Sequence, residues 1–335
     1  MTSLMNRTSE IARMASTSAI SAVMRAFIHD MQDVGTLCKT VRMVLPQSYK
    51  AVQRGLRREF DIRGVQYSVT EWGDRSAPLF FYLHGWGDTG STFQFVVDAL
   101  SKAWRVVAPD WRGFGRSPVE CTSYWFPDYL ADLHELLAIY SPDRPARIVG
   151  HSMGANIAGL YAGMMPERVQ ALVNVEGFGL ADSDPADAPK RYRQWIDEGH
   201  AVPAFTRYAD WQALAARIAK RNPRMNAAQA DFVAREWGAE CGHGRVELRA
   251  DPRHKLPNPV LYRRAEAEAC WQAITADVLL VTGEKSALAE RFAAQDGASC
   301  PGDRTVVIDG AGHMLHFEVP SDLAAAIEPF LSKYL

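Results

Sequence analysis

The 335-residue chain lacks any run of 18 apolar residues, so no membrane-spanning helix is expected. Arg7, Glu10, Arg13 and Arg25 break up its first 30 residues, which denies them the unbroken apolar stretch of a secretory signal. Cysteine is scarce: Cys38, Cys121, Cys241, Cys270 and Cys300 are an odd set of five with no C-x-x-C spacing. That excludes a disulfide framework and a zinc site, and it fits free thiols in a reducing, cytoplasmic setting. There is no basic excess either. With 37 Lys and Arg against 39 Asp and Glu, the net charge is −2, which speaks against a nucleic-acid partner. What remains is ordinary globular composition, 47% hydrophobic and 23% charged. A chain this long buries roughly three-quarters of its unfolded surface, enough to hold a core without cross-links.

Residues 1–56 contain no glycine except Gly35 and Gly55, and no proline except Pro46. Ile20, Val23, Met24, Phe27, Ile28, Met31 and Val34 recur at helical spacing, which predicts an amphipathic helix. The expectation is an N-terminal helical extension that docks on the main domain or makes a homodimer contact. Asp30 and Asp33 oppose a membrane-surface helix, whose polar face is rich in Lys and Arg. The segment's three acids also count against an organelle-targeting peptide.

A strand–helix rhythm begins near residue 57. Val65 to Trp72 alternates as a half-buried strand does. Short apolar runs follow at Leu79 to Leu83, Val106 to Ala108, Arg147 to Val149, Ala171 to Val175, Val278 to Val281 and Thr305 to Ile308. Helical patterns at Thr92 to Leu100 and Asp128 to Tyr140 lie between them. Such alternation predicts an α/β fold with a mostly parallel central sheet flanked by helices, its reactive residues at the carboxyl ends of strands. The rhythm breaks over residues 178–270, which open on a loop-like segment, Ala181 to Pro189, and then read as mainly helical. The domain expectation is therefore a core of 57–177 and 271–335 with a helical cap of 178–270. The cap is rich in aromatics: Tyr192, Trp195, Phe205, Tyr208, Trp211, Phe232 and Trp237. Most of them read as its packing, and one or two as pocket lining for an apolar substrate.

Three motifs carry chemistry. Gly150-His151-Ser152-Met153-Gly154 follows an apolar strand and opens a helical run, the context in which G-x-S-x-G projects a serine hydroxyl above a sheet. Leu83-His84-Gly85-Trp86-Gly87-Asp88 closes another strand. A tetrahedral intermediate needs two donors for its oxyanion, and the backbone N–H groups of Met153 and Trp86 are the candidates. His84 reads as a loop-holding residue rather than a proton carrier. Late in the chain, Asp309-Gly310-Ala311-Gly312-His313-Met314 offers His313 as the base that a serine nucleophile requires. His316 is its less well-placed rival.

From about residue 57 to the end, these motifs resemble the α/β-hydrolase superfamily. The phrase Pro109-Asp110-Trp111-Arg112-Gly113-Phe114-Gly115-Arg116-Ser117 matches the D-x-R-G-x-G-x-S loop of capped members. The HGW start, the GHSMG elbow and the GxGH ending are similar to serine-hydrolase-like proteins and bacterial carboxylesterases. The resemblance implies a cap and a nucleophile–acid–histidine triad, and no metal or organic cofactor. The family usually places the acid after the penultimate strand, in G-x-x-D, where this chain has Gly283-Glu284-Lys285-Ser286. Ser286 stands at the acid's position and cannot carry its charge. Some capped members, including many haloalkane dehalogenases, take the acid after the preceding strand, here Val173-Asn174-Val175-Glu176-Gly177-Phe178. Glu176 is favoured, since a carboxylate at that strand end is costly to bury without a partner. Glu284 is the alternative acid, and a different donor such as Asp309 stays open.

The leading function is hydrolysis of a carboxylic ester, thioester or lactone through Ser152, His313 and Glu176 and an acyl-enzyme. The alternatives are a carbon–carbon bond hydrolase with the same triad and a non-catalytic ligand-binding member of the fold. Haloalkane dehalogenases and epoxide hydrolases use an aspartate nucleophile, and this position is Ser152.

Overall fold

A computed structural model describes residues 48–201, 203–293, 302 and 304–335. The helix expected around residues 20–34 lies outside the described residues, as do Cys38 and Cys300. Among the described residues Cys121, Cys241 and Cys270 are free thiols, and no helix is long and apolar enough to cross a membrane.

Eight strands form one sheet: β1 (Leu56–Ile62), β2 (Val65–Trp72), β3 (Leu79–Leu83), β4 (Arg105–Pro109), β5 (Ala146–His151), β6 (Val169–Val175), β9 (Asp277–Gly283) and β10 (Arg304–Ile308). Their order across the sheet is β1-β2-β4-β3-β5-β6-β9-β10. The β1–β2 and β2–β4 pairs are antiparallel, and every other pair is parallel. The sheet is thus the mostly parallel one that the strand–helix alternation predicts. Strand β1 is the exception to that legibility. It reads Leu-Arg-Arg-Glu-Phe-Asp-Ile and is mainly exposed, so no apolar run announces it. Its partner β2 recruits it through backbone hydrogen bonds at the sheet edge.

Side chains alternate across the pleat, and the two faces carry separate cores. Phe80, Tyr82, Val106, Ala108, Val149 and Val173 face one way. Against them pack Leu323, Ile327 and Leu331 of the helix Pro320–Leu331, spaced four apart and hence on one stripe. Phe81, Leu83, Val107, Ile148 and Leu172 face the other way, onto Leu133, Leu136 and Leu137 of the helix Phe126–Tyr140 and onto Ile157 and Tyr161 of the helix Met153–Met164. Each such side chain contributes roughly 1.5–3 kcal/mol when fully buried, so the sheet is held rigidly from both sides. The helix expected over Thr92 to Leu100 is shorter than its pattern. It forms as a 3-10 turn, Gly90–Phe93, and a single helical turn, Gln94–Val97.

Between β6 and β9 the chain leaves the sheet. It forms the helices Ala188–Gly199, Trp211–Arg221, Ala227–Trp237 and Arg264–Gln272. The insertion is mainly helical, with one addition: a small antiparallel hairpin of β7 (Gly238–Glu240) and β8 (Val246–Leu248). Asp210 caps the second helix by accepting from Ala213 N–H at 2.8 Å. Asn226 and Gln229 form a reciprocal capping box on the third, which satisfies two otherwise orphaned donors. Leu214, Ile218, Val233, Ala234 and Val246 make the insertion's own core, which continues onto Phe95 and Phe317 of the sheet domain.

Candidate active site

The parallel strands β3, β5, β6 and β9 all end on the same side, and their carboxyl-terminal turns meet there. At the end of β5, Ser152 adopts φ 51° and ψ −113°, a region that a non-glycine residue occupies only when its surroundings over-determine it. Its N–H donates to Val175 O at 2.8 Å. The two glycines that flank it have steric causes. A Cβ on Gly150 would lie 2.6 Å from Ala155 Cα, and one on Gly154 would lie 2.1 Å from Leu83 O. Only glycines let the helix Met153–Met164 start so close to β5 and let it press against the end of β3. Met153 opens that helix, so its N–H has no intrahelical acceptor and points forward from the amino terminus.

Across from the elbow is the turn after β3. His84 is fully buried, and its Nδ1–H faces Gly85 O at 2.7 Å. Its Nε2 accepts from Trp111 N–H at 2.8 Å, which leaves no lone pair for proton transfer. Burial lowers its pKa to about 4. It therefore ties β3 to the loop after β4, while Trp86, two residues on, carries the backbone N–H singled out for an oxyanion. A Cβ built on Gly85 would lie 3.2 Å from Ser152 Cβ, so the two turns are in contact.

The third turn follows β10 and bears His313. Its Nδ1 lies 3.1 Å from Glu176 Oε2. Glu176 sits directly after β6, fully buried, with φ 60°. Its N–H donates to Val281 O at 3.1 Å, which pins it to β9. The turn is closed by Asn174, whose side chain accepts from Gly177 N–H at 2.8 Å and donates to Gly177 O at 2.9 Å. Both carboxylate oxygens are satisfied, Oε1 by Gly283 N–H at 2.8 Å and Oε2 by the Ser286 hydroxyl as well as His313. Three donors around one buried carboxylate offset the desolvation that an unpaired charge would suffer.

The structure thus brings Glu176 to His313 and leaves Glu284 apart. Glu284 is exposed and accepts from Gly310 N–H at 2.7 Å. Among the described residues, Asp309 contributes only its backbone carbonyl, to Arg224. His316 is buried against Asp88, with Nε2 2.9 Å from Oδ2. No hydrogen bond joins the Ser152 hydroxyl to His313 among the described residues. The elbow is tied to the histidine turn by His151, which precedes Ser152 and donates from Nε2 to His313 O at 2.9 Å.

Two residues here are not announced by the sequence. Ser286 stands where the family's acid is expected, yet it serves the acid from that place. Its signal is its position, one turn past a glycine at a strand end. Asp88 stands out in the sequence only as the last residue of the HGWGD phrase. Among the described residues, Asp88, His151 and His316 are the one cluster of metal-ligand type, with donor atoms within 4.8 Å of one another. Asp88 and His316 are already bonded to each other, and His151 Nε2 is committed to His313 O.

The family model described as the alpha/beta hydrolase fold matches residues 78–320. The chain belongs to the α/β-hydrolase family. It is similar to a serine hydrolase-like protein of Danio rerio, at 28% identity over 78% of this chain and 83% of that one. It is also similar to a 2-(acetamidomethylene)succinate hydrolase of Mesorhizobium japonicum, at 26% identity over 82% and 95%. Among solved structures it resembles a thioesterase domain from the curacin biosynthetic pathway, with a TM-score of 0.73 and 26% identity over 82% of this chain and 99% of that one. These α/β-hydrolase relatives are hydrolases, and a hydrolase is what the family membership makes of this chain.

Proposed function

We propose that this hydrolase cleaves carboxylic esters through an acyl-enzyme. The observation that carries the reading is the Glu176–His313 contact at 3.1 Å. With Nδ1–H directed at the carboxylate, His313 keeps the lone pair on Nε2, the tautomer that a general base needs. In the proposed reaction, Ser152 Oγ attacks the carbonyl carbon while its proton passes to His313 Nε2. The Met153 and Trp86 N–H groups receive the oxyanion, each such donor being worth roughly 3–4 kcal/mol in transition-state stabilisation. The imidazolium, stabilised by Glu176, then protonates the leaving alcohol. Water, activated by the same histidine, releases the acid and restores Ser152. Thioesters and lactones suit the same machinery, and the thioesterase neighbour supports an acyl group as what is transferred. The core is 57–177 with 271–335, and residues 178–270 act as its cap, whose aromatic content favours an apolar acyl or alcohol group.

The test is a series of p-nitrophenyl esters from acetyl to dodecanoyl, turned over by the wild type and by Ser152→Ala, Glu176→Gln and Glu284→Gln. The reading requires turnover that Ser152→Ala and Glu176→Gln abolish and Glu284→Gln leaves near wild type. Turnover that survives Glu176→Gln and fails in Glu284→Gln would move the acid. Activity confined to short, charged esters would sink the apolar substrate.

A further inference from the structure

Behind the candidate active site lies a second buried carboxylate with no role in the reaction above. Asp88 is 1% exposed. Its Oδ1 accepts from Thr92 Oγ1 at 2.8 Å and from Trp237 Nε1 at 2.7 Å, and its Oδ2 faces His316 Nε2 at 2.9 Å. Burial works to raise its pKa, but the hydrogen bonds from His316 and Trp237 hold it below the ordinary carboxylate range. The group is therefore an anion in the interior, and such an anion is held in place by its donors.

Those donors come from three parts of the molecule. Thr92 belongs to the segment after the HGW turn. Trp237 is the last residue of the insertion helix Ala227–Trp237, and its neighbour Glu236 accepts from Ser91 Oγ at 2.7 Å. His316 follows the His313 turn. From Asp88 two short paths lead to reacting groups. Along the first, Asp88 N–H donates to Gly85 O at 3.3 Å, closing the turn that presents the Trp86 N–H. Along the second, the His316 ring lies 4.6 Å from the His151 ring, and His151 Nε2 bonds to His313 O.

We propose that Asp88 is a positioning residue through which the seating of the insertion helix on the sheet domain sets the reactivity of Ser152 and His313. It rests on the assignment of those two residues above. Trp237 anchors the helix to the carboxylate, and the carboxylate holds both the oxyanion turn and the histidine turn. Releasing one donor lets both turns relax, and a misplacement of about 1 Å at a reacting group is enough to cost on the order of 10²-fold in rate.

The experiment uses the full chain with Trp237→Phe, Asp88→Asn and the double variant. Trp237→Phe keeps an aromatic ring beside Phe317, at 5.7 Å in the wild type, and removes the indole N–H with the smaller part of the ring system. Three quantities are read: kcat and KM on p-nitrophenyl butyrate, the rate of Ser152 phosphonylation by a fluorophosphonate, and the low-field proton resonance of the His313–Glu176 hydrogen bond. The expected result is a fall in kcat of roughly tenfold for Trp237→Phe and roughly 10²-fold for Asp88→Asn, with KM little changed. Phosphonylation falls in parallel and the low-field resonance shifts or broadens. Because both substitutions act through one hydrogen bond, the double variant is no slower than Asp88→Asn alone. Wild-type kcat and an unmoved resonance in Trp237→Phe, whatever its melting temperature, would overturn the proposal and reduce Asp88 to a packing group. Trp237→Phe decides the matter even if Asp88→Asn does not fold. A wild type inert on every ester defeats the ester reading alone, since the phosphonylation and resonance measurements still decide the role of Asp88.

Discussion

The turn after β6 and the helix Ala188–Gly199, only a short way further along the chain, are held in opposite ways. In the turn, both carboxylate oxygens of Glu176 are paired, its N–H is paired, and Asn174 closes the loop on both sides. The helix buries none of its residues, and Tyr192 and Ile196 on it are 53% and 54% exposed. The turn is fixed by paired donors and acceptors, whereas this helix of the insertion is thinly packed. Stability is distributed unevenly by such packing: cores and paired loops open rarely, and thinly packed helices open often.

The sharpest way to break the comparison is at the elbow and the paired turn beside it. Ser152→Ala is expected to lower turnover by on the order of 10⁴-fold or more without loss of melting temperature. Glu176→Gln follows, at on the order of 10²–10⁴-fold, because an amide nitrogen facing His313 Nδ1–H or Gly283 N–H sets donor against donor. A Glu176→Gln enzyme with near-wild-type kcat would show that the pairing is structural only. Ser286→Ala removes one of the three donors on that carboxylate, and roughly a tenfold fall in kcat is expected, in line with one charge-assisted hydrogen bond. Should Ser286→Ala leave both kcat and its pH profile untouched, the hydroxyl contributes nothing to the acid.

A smaller effect concerns pH. His254 is buried between the rings of Phe114 and Tyr124, at 3.8 and 3.5 Å, and burial lowers its pKa from 6.5 to about 3. Burial likewise brings His84 to about 4. Both are neutral when folded and take up a proton when unfolded, so their contribution is complete above pH 6.5. It is lost as the pH falls toward those folded values, at about 1.4 kcal/mol per group per pH unit. Buried Asp110, raised from 3.8 to about 6, acts oppositely below its folded value, gaining stability as the pH falls toward 3.8. Urea unfolding of wild type and His254→Phe between about pH 7 and pH 5 isolates one histidine. The expected difference is a shallower loss in the variant, and equal slopes would refute the assignment. At the loose end of the comparison, Tyr192→Ser and Ile196→Ser are expected to change stability by no more than about 0.5 kcal/mol. A loss beyond about 2 kcal/mol in the same unfolding experiment would reveal that the outer helix is held more firmly than its burial says.

Much of the site is legible in sequence because local geometry demands particular residues. A strained serine between a strand and a helix needs glycines at both flanks, and a histidine turn near the end of an α/β chain announces itself by G-x-G-H. The alternation of short apolar runs with helical patterns likewise predicts the parallel sheet, since buried strands have few other ways to be written. Strand β1 is illegible for the complementary reason: an edge strand needs backbone partners more than apolar side chains.

Sequence by itself determined the elbow, the histidine turn and the fold family, each through short-range backbone constraints. It favoured Glu176 from its place at a strand end but left Glu284 and Asp309 open as the acid for His313, because no local turn geometry says which carboxylate reaches it. Tertiary structure alone decided that. The order β5-β6-β9-β10 places the end of β6 beside the end of β9, with only β9 between it and the strand that leads into the histidine turn, so Glu176 meets His313 across a separation of 137 residues. It alone also decided the place of Asp88, whose partners Trp237 and His316 lie 149 and 228 residues away. A buried charge is stable only where distant donors converge on it, and convergence is a property of the folded chain.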